Sequence, residues 1–333
     1  MIHTRITLRA CTLALLASPF FAHVAFSADK VILQIDGAAV PFYAPLYAGV
    51  EQKIFEKNGI EVQFVYAGAS DILTNIAAGN VDFGFPNGDA VVAAAANGLP
   101  VKVVHTTYQR GIGALLAKAE SGIKTYADLK GKKVAVSSLA SPNYLQLQVG
   151  LKAAGLTLED VTLEVVATGA IVQSLQAGQV DAIVFSELRK YNLEADGSKV
   201  TMLLSNDFLP SFGNVVVTSD AKLKSNPDLV KRFTTAISQS YQWVIDGHVE
   251  QALDISFEKY TPTWKDQKPT LTRAFNETFI PSVWQSPLTK DKGLGAADLG
   301  AWQNNADILA EYKVIDAAPK AADFVIDPSK IGQ

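Results

Sequence analysis

Three serines, at 137, 138 and 141, and Asn143 stand directly ahead of a helix-patterned stretch. Hydroxyls and free backbone N–H groups in such a position form a nest of donors able to hold a carboxylate, sulfonate or phosphate. Ser141 can equally act as the plain cap of that helix. Asn87-Gly88-Asp89 offers a second polar edge, with Asp89 just as suited to capping. Arg110 could grip an anionic group through two parallel hydrogen bonds, whereas Arg189 and Lys190 read as solvated charges. Phe42, Tyr43, Phe85, Tyr108 and Tyr144 supply ring faces for stacking an aromatic molecule, or for core packing. This is the chemistry of binding. The chain has no G-x-S-x-G, H-E-x-x-H, Walker loop or G-x-G-x-x-G, and Lys130-Gly131-Lys132-Lys133 lacks the spacing of a phosphate loop. No catalytic residue, metal site or cofactor is expected.

For these residues to converge, the elements between them must bring them to one edge. Positions 31–35, 60–66, 81–85 and 101–106 are short apolar runs that read as buried strands. The stretches 41–55, 68–78 and 88–97 between them carry helical spacing, with Gly59 and Gly79 where helix C-caps belong. The alternation resumes after Tyr126, with strands at 133–136, 163–166, 180–185 and 201–204 and helices at 143–154 and 169–176. Strands alternating with helices of this length predict parallel βαβ units, hence an α/β fold. In such sheets ligands collect beyond the carboxyl ends of the strands. That rule selects the loops 36–43, 68–71 with Ser70, 86–89, 137–143 and 185–189 with Glu187, and Gly169 alongside.

Ile76-Ala77-Ala78-Gly79-Asn80-Val81-Asp82 aligns with Leu175-Gln176-Ala177-Gly178-Gln179-Val180-Asp181. Each is a helix end, a glycine cap and a turn into a strand that opens on aspartate. G-x-V-D can be how any such turn looks, but the flanking element order matches too. Two lobes on one plan, with a ligand between them, explain both observations. After 217 the character changes to long amphipathic helices, at 226–246, 249–259, 271–284 and 296–312. Trp243, Trp264, Trp284 and Trp302 all lie there and read as packing.

The 333 residues suit two domains, and 48% hydrophobic with 19% charged residues is ordinary for a soluble protein. The first 27 residues stand apart. Arg5 and Arg9 precede an apolar run over 10–21, and Ala25 and Ser27 occupy the positions a signal peptidase reads, so cleavage near Ser27 is expected. That run is about half the roughly 20 residues a spanning helix needs. The single cysteine, Cys11, falls inside this leader and follows Leu8-Arg9-Ala10, which is no lipoprotein box. The mature chain therefore has no thiol for a disulfide, a metal or catalysis. Losing two arginines and no acids moves the formal charge from −4 to about −6, and no basic run suggests a nucleic-acid partner.

Three stretches carry a family resemblance. They are Pro41-Phe42-Tyr43-Ala44-Pro45-Leu46-Tyr47-Ala48 running on to Gly59-Ile60-Glu61-Val62; Gly68-Ala69-Ser70-Asp71 through Gly79-Asn80-Val81-Asp82-Phe83-Gly84; and Asp128-Leu129-Lys130-Gly131-Lys132-Lys133-Val134 with Ala177-Gly178-Gln179-Val180-Asp181-Ala182. In order and spacing this resembles the periplasmic solute-binding proteins of ABC importers that take sulfonates, taurine, nitrate or the pyrimidine precursors of thiamine. The resemblance implies a type II periplasmic-binding-protein fold: two α/β lobes with a hinge and an interlobe ligand cleft. The crossings would fall near Tyr108 and 212–217, so that 28–107 with 216–333 form one lobe and 108–215 the other. It also implies a monomeric periplasmic receptor that delivers its small-molecule ligand to an ABC permease with its cytoplasmic ATPase.

Ligand contacts are then expected among Phe42, Tyr43, Ser70, Asn87, Asp89, Tyr108, Arg110, Ser137, Ser138, Asn143, Tyr144, Gly169 and Glu187. The aromatic residues favour a ring-bearing solute, a pyrimidine precursor or aromatic carboxylate. The hydroxyl-rich loop favours a sulfonate, taurine or similar small oxyanion. A pyrimidine-synthesising enzyme of the related thiamine-pathway family is the rival of another class, although the cysteine signature of those enzymes is missing here. A periplasmic sensor built on the same clamshell is a third possibility.

Overall fold

The computed structural model describes residues 28–139 and 141–333; the expected leader, with Cys11, lies outside the described residues. Among the described residues ten strands form two sheets. The first half of the chain supplies β1 (Asp29–Asp36), β2 (Ile60–Ala67), β3 (Phe83–Phe85), β4 (Val101–His105) and β5 (Gly113–Lys118). Then follow β6 (Lys133–Val136), β7 (Thr162–Val165), β8 (Ala182–Ser186), β9 (Val200–Leu204) and β10 (Val216–Ser219). One sheet has the order β2-β1-β3-β10-β4 and the other β7-β6-β8-β5-β9.

The parallel expectation holds for β1 with β2 and β3, and for β6 with β7 and β8. It does not hold for β5 and β10, which run antiparallel to both neighbours. The reason lies in the connections. The chain leaves the first sheet after β4 through 106–112 and enters the second as β5; it returns through 205–215 and enters the first as β10. Each returning strand is thus wedged, reversed, beside the third strand of its sheet. Strand β5 is not among the strands the sequence predicts, because its core Ala114–Ala117 is buried on both faces and shows no period to read.

The internal repeat has a physical basis. The Asp82 carboxylate accepts the backbone N–H of Ile32 at 2.9 Å, and the Asp181 carboxylate accepts that of Lys133 at 2.8 Å. Ile32 lies in β1 and Lys133 in β6, the corresponding strands of the two sheets. Gly79 and Gly178 end the preceding helices with φ of 77° and 70°, which other residues adopt only with strain.

The opening helix is not continuous. A turn of 3₁₀ helix, Pro41–Tyr43, leads into Ala44–Glu51, and Ile54–Lys57 follows only after Lys53 takes a left-handed φ of 58°. The later helices pack mainly on the first sheet. Phe233, from the helix Pro227–Ile245, stacks on Phe83 at 3.7 Å, and Trp302 stacks on Phe212 at 4.1 Å. Trp284 and Trp302 are fully buried. The segment Phe275–Trp284 is π-helical and carries Pro281 inside it, where the missing N–H loosens the ladder. Among the described residues no helix is long and apolar enough to cross a membrane.

Candidate ligand-binding site

Two cavities open between the lobes, each walled by both. The smaller, about 200 Å³, is bounded by Phe42, Trp264 and Leu271 and by Phe185, Arg189 and Tyr191, the last three from β8 of the second sheet and the helix that follows it. Phe42 meets Trp264 edge-on at 6.2 Å and leans on Phe279 at 5.6 Å, so its ring is held from behind. Arg189 opens the helix Arg189–Ala195 just beyond β8, and its guanidinium lies 5.2 Å from the centre of the Phe185 ring. Its Nε is buried without a hydrogen-bond partner, and burial lowers its pKa. Aromatic faces and a cation without a carboxylate suit a flat ring bearing an acceptor group.

The larger cavity, about 560 Å³, is more polar and includes Asn87, Asp89, Leu139, Ser141, Tyr144 and Tyr312 in its wall. Asn87, not Asp89, caps the helix Gly88–Ala96: its Oδ1 accepts the Ala90 N–H at 3.0 Å, and its Nδ2 reaches Asp36 at 3.5 Å. Asp89 accepts a hydrogen bond from Asn305 at 3.1 Å, and loss of solvation pushes its carboxyl up to about 6. Burial also raises the pKa of Asp36, against the lowering effect of Asn87. Ser141 stands at the cap of the helix Pro142–Ala153, yet its hydroxyl donates to the Ser138 carbonyl at 2.7 Å instead of capping.

The residues singled out from the sequence are thus distributed over several places. Phe42 lines the smaller cavity; Asn87, Asp89 and Tyr144 line the larger. Tyr43 and Tyr108 are buried, and with Phe85 and Phe279 they form a chain of edge-on rings 5.7–6.0 Å apart. Tyr43 also donates its hydroxyl to the Asp36 carbonyl. Arg110, expected to be free for an anion, gives both Nη atoms to Glu187, at 2.6 and 3.1 Å, and donates further to Ser282 and the Gly111 carbonyl. Ser70, Ser138 and Gly169 are exposed, while Ser137 and Asn143 are half-buried beside them.

Two cavity residues depart from what the sequence predicts. Arg189 is half-buried rather than solvated, and Trp264 faces the cavity as well as packing on Phe42. For Arg189 a signal existed, its place in the loop beyond β8; for Trp264 none did. Among the described residues no group of His, Cys, Asp and Glu could hold a metal ion. His105 is buried between Thr107 and Ser238, and burial drives its pKa down to about 3.

Two mixed α/β sheets, joined by two crossings and enclosing cavities between them, define a periplasmic-binding-protein fold. Within that class, the chain belongs to the NMT1/THI5-like family, whose sequence profile matches residues 40–250. It is 27% identical over 278 residues to the riboflavin-binding protein RibY of Chloroflexus aurantiacus, covering 83% of this chain and 78% of that one. It is 26% identical over 269 residues to the 4-amino-5-hydroxymethyl-2-methylpyrimidine phosphate synthase of Aspergillus parasiticus, covering 75% and 74%. The fold matches the periplasmic aliphatic sulphonate binding protein SsuA from Escherichia coli with a TM-score of 0.70 at 18% identity, over 92% of this chain and 95% of that one.

Proposed function

We propose that this chain is the extracytoplasmic solute-binding receptor of an ABC-type importer, closing two lobes on a small single-ring solute that bears a hydrogen-bond-accepting group. In this reading 28–107 with 216–333 make one lobe, 108–215 the other, and 1–27 a leader removed on export. The smaller cavity carries the proposal, because Phe42, Trp264 and Phe185 line it together with Arg189, a guanidinium that has no carboxylate. Its volume of about 200 Å³ lies below the roughly 300–1,000 Å³ of sites for drug-sized ligands. That favours one ring over a fused tricycle such as the flavin named for the Chloroflexus relative. Capture by lobe closure is a shift between open and closed populations, driven by tighter binding to the closed one.

Calorimetry with benzoate, 4-amino-5-hydroxymethyl-2-methylpyrimidine and taurine tests this. A single-ring solute should bind, and Arg189→Ala should weaken it at least tenfold, since a lost charge-assisted hydrogen bond costs about 1.5–3 kcal/mol, while Trp264→Ala should weaken it by removing an aromatic face. Binding of taurine alone, indifferent to Trp264→Ala, would overturn the ring reading. It would favour a second one, a small oxyanion in the larger cavity, where Ser141 and the start of the helix Pro142–Ala153 face the opening. Recovery of chemically altered solute would point instead to an enzyme like the fungal relative.

A further inference from the structure

Glu187 and Arg189 stand two positions apart beyond the end of β8, and the carboxylate is held by a third residue, Arg110. The Glu187 side chain is 3% exposed and both its oxygens receive N–H groups from Arg110. Arg110 donates as well to the Ser282 hydroxyl at 2.9 Å and the Gly111 carbonyl at 2.8 Å. It therefore ties the first crossing to the loop after β8 and to the π-helical segment. Arg189, two positions along from Glu187, lines the smaller cavity with its Nε buried and unpartnered. Glu194, on the same helix, and Glu277 are engaged elsewhere: both accept from Arg273.

A carboxylate buried as deeply as Glu187 needs a cation beside it. Arg110 supplies one with a planar fork and has two further acceptors to hold that fork still. We infer that Arg110 is a positioning residue that sets the charge selectivity of the smaller cavity: by drawing Glu187 away, it leaves Arg189 as an uncompensated cation that selects an anionic ring, of the aryl carboxylate kind, over a neutral one. This rests on the cavity being the solute site. Without Arg110, Glu187 turns to Arg189, the two charges cancel, and the preference for an anion is lost.

Benzoate and benzamide share a ring and differ in charge, which makes them the probes. In calorimetry wild type favours benzoate by at least tenfold. Arg110→Met weakens benzoate at least tenfold and benzamide less than threefold. Arg110→Met combined with Glu187→Gln restores benzoate to within about threefold of wild type. A ligand-free measurement runs beside it, peptide mapping after phenylglyoxal treatment: Arg189 is modified in wild type, protected in Arg110→Met and modified again in the double variant. Circular dichroism confirms that each variant folds.

Equal reactivity of Arg189 in all three proteins overturns the inference, as does equal weakening of both probes by Arg110→Met. Equal wild-type affinity for the two probes sinks the inference and spares the solute reading. Failure of both probes and of the pyrimidine to bind sinks both.

Discussion

Tyr191 and Thr278 hold their hydroxyl oxygens 2.6 Å apart across the seam between the lobes, in a buried contact. Beside them Arg273 reaches Glu194 at 3.0 Å and lies 5.2 Å from the Tyr191 ring. Near Tyr312 of the larger cavity Lys152 approaches Glu311 at 3.4 Å, with both side chains more than 60% exposed. A buried hydrogen bond contributes about 1 kcal/mol net, whereas an exposed ion pair contributes about 0–1 kcal/mol. The seam is therefore held more firmly at the smaller cavity.

Loosening that seam should favour the open state. Tyr191→Phe with Arg273→Ala is expected to enlarge the ligand-free radius of gyration in small-angle scattering and to weaken solute binding several-fold. Lys152→Ala should change neither. Identical scattering from all three proteins would show that the seam does not govern closure.

Two buried groups oppose each other in their pH dependence. Asp89 is raised to about 6 from 3.8, so the folded state keeps its proton where the unfolded chain has lost it. Its contribution is full below about pH 4 and disappears as the pH climbs to 6. His105 is lowered to about 3 from 6.5, so it contributes above about pH 6.5 and its share is lost as the pH falls toward 3. At about 1.4 kcal/mol per unit, the Asp89 effect is up to about 3 kcal/mol. Between pH 4 and 6 the two slopes largely cancel. Relative to wild type, Asp89→Asn should therefore melt at higher temperature near pH 7 and lose stability more steeply in acid, and His105→Gln should show the opposite slope. Thermal unfolding at half-unit pH steps measures this, and parallel profiles for all three proteins would contradict it.

The serine loop offers a sharp discrimination between solutes. With a single ring seated at Arg189, Ser138→Ala combined with Asn143→Ala should leave benzoate affinity within about threefold. If instead the loop holds the anion, the pair should cost at least tenfold, as two lost hydrogen bonds to charge require. Calorimetry on the double variant decides between the two.

Gly88 joins the cap of its helix to the return crossing. Its N–H donates to the carbonyls of Phe212 and Gly213, and an added Cβ would lie 2.7 Å from Phe212 Cβ and 3.1 Å from the Trp302 ring. Gly88→Ala should therefore cost about 1–3 kcal/mol through overpacking, read as a lower urea midpoint. An unchanged midpoint would mean that the crossing yields freely at Phe212.

The alternation of strands and helices, the glycine caps and the two-lobed repeat were legible from the amino-acid order, because each is written in a short local pattern of residue types. The repeat was clearest, since Asp82 and Asp181 do the same work on β1 and β6. Strand β5 was not legible: a run buried on both faces has no alternation, and its partners β8 and β9 come from far along the chain. The site divided in the same way. Aromatic residues, serines and arginines near the strand ends could be named from order alone, but not which arginine would remain free. Arg110 meets Glu187 across 77 positions and Ser282 across 172, while Arg189 meets no carboxylate. Local sequence sets where a charge sits along its own helix or loop; its partner is set by chain segments that only the packed lobes bring together.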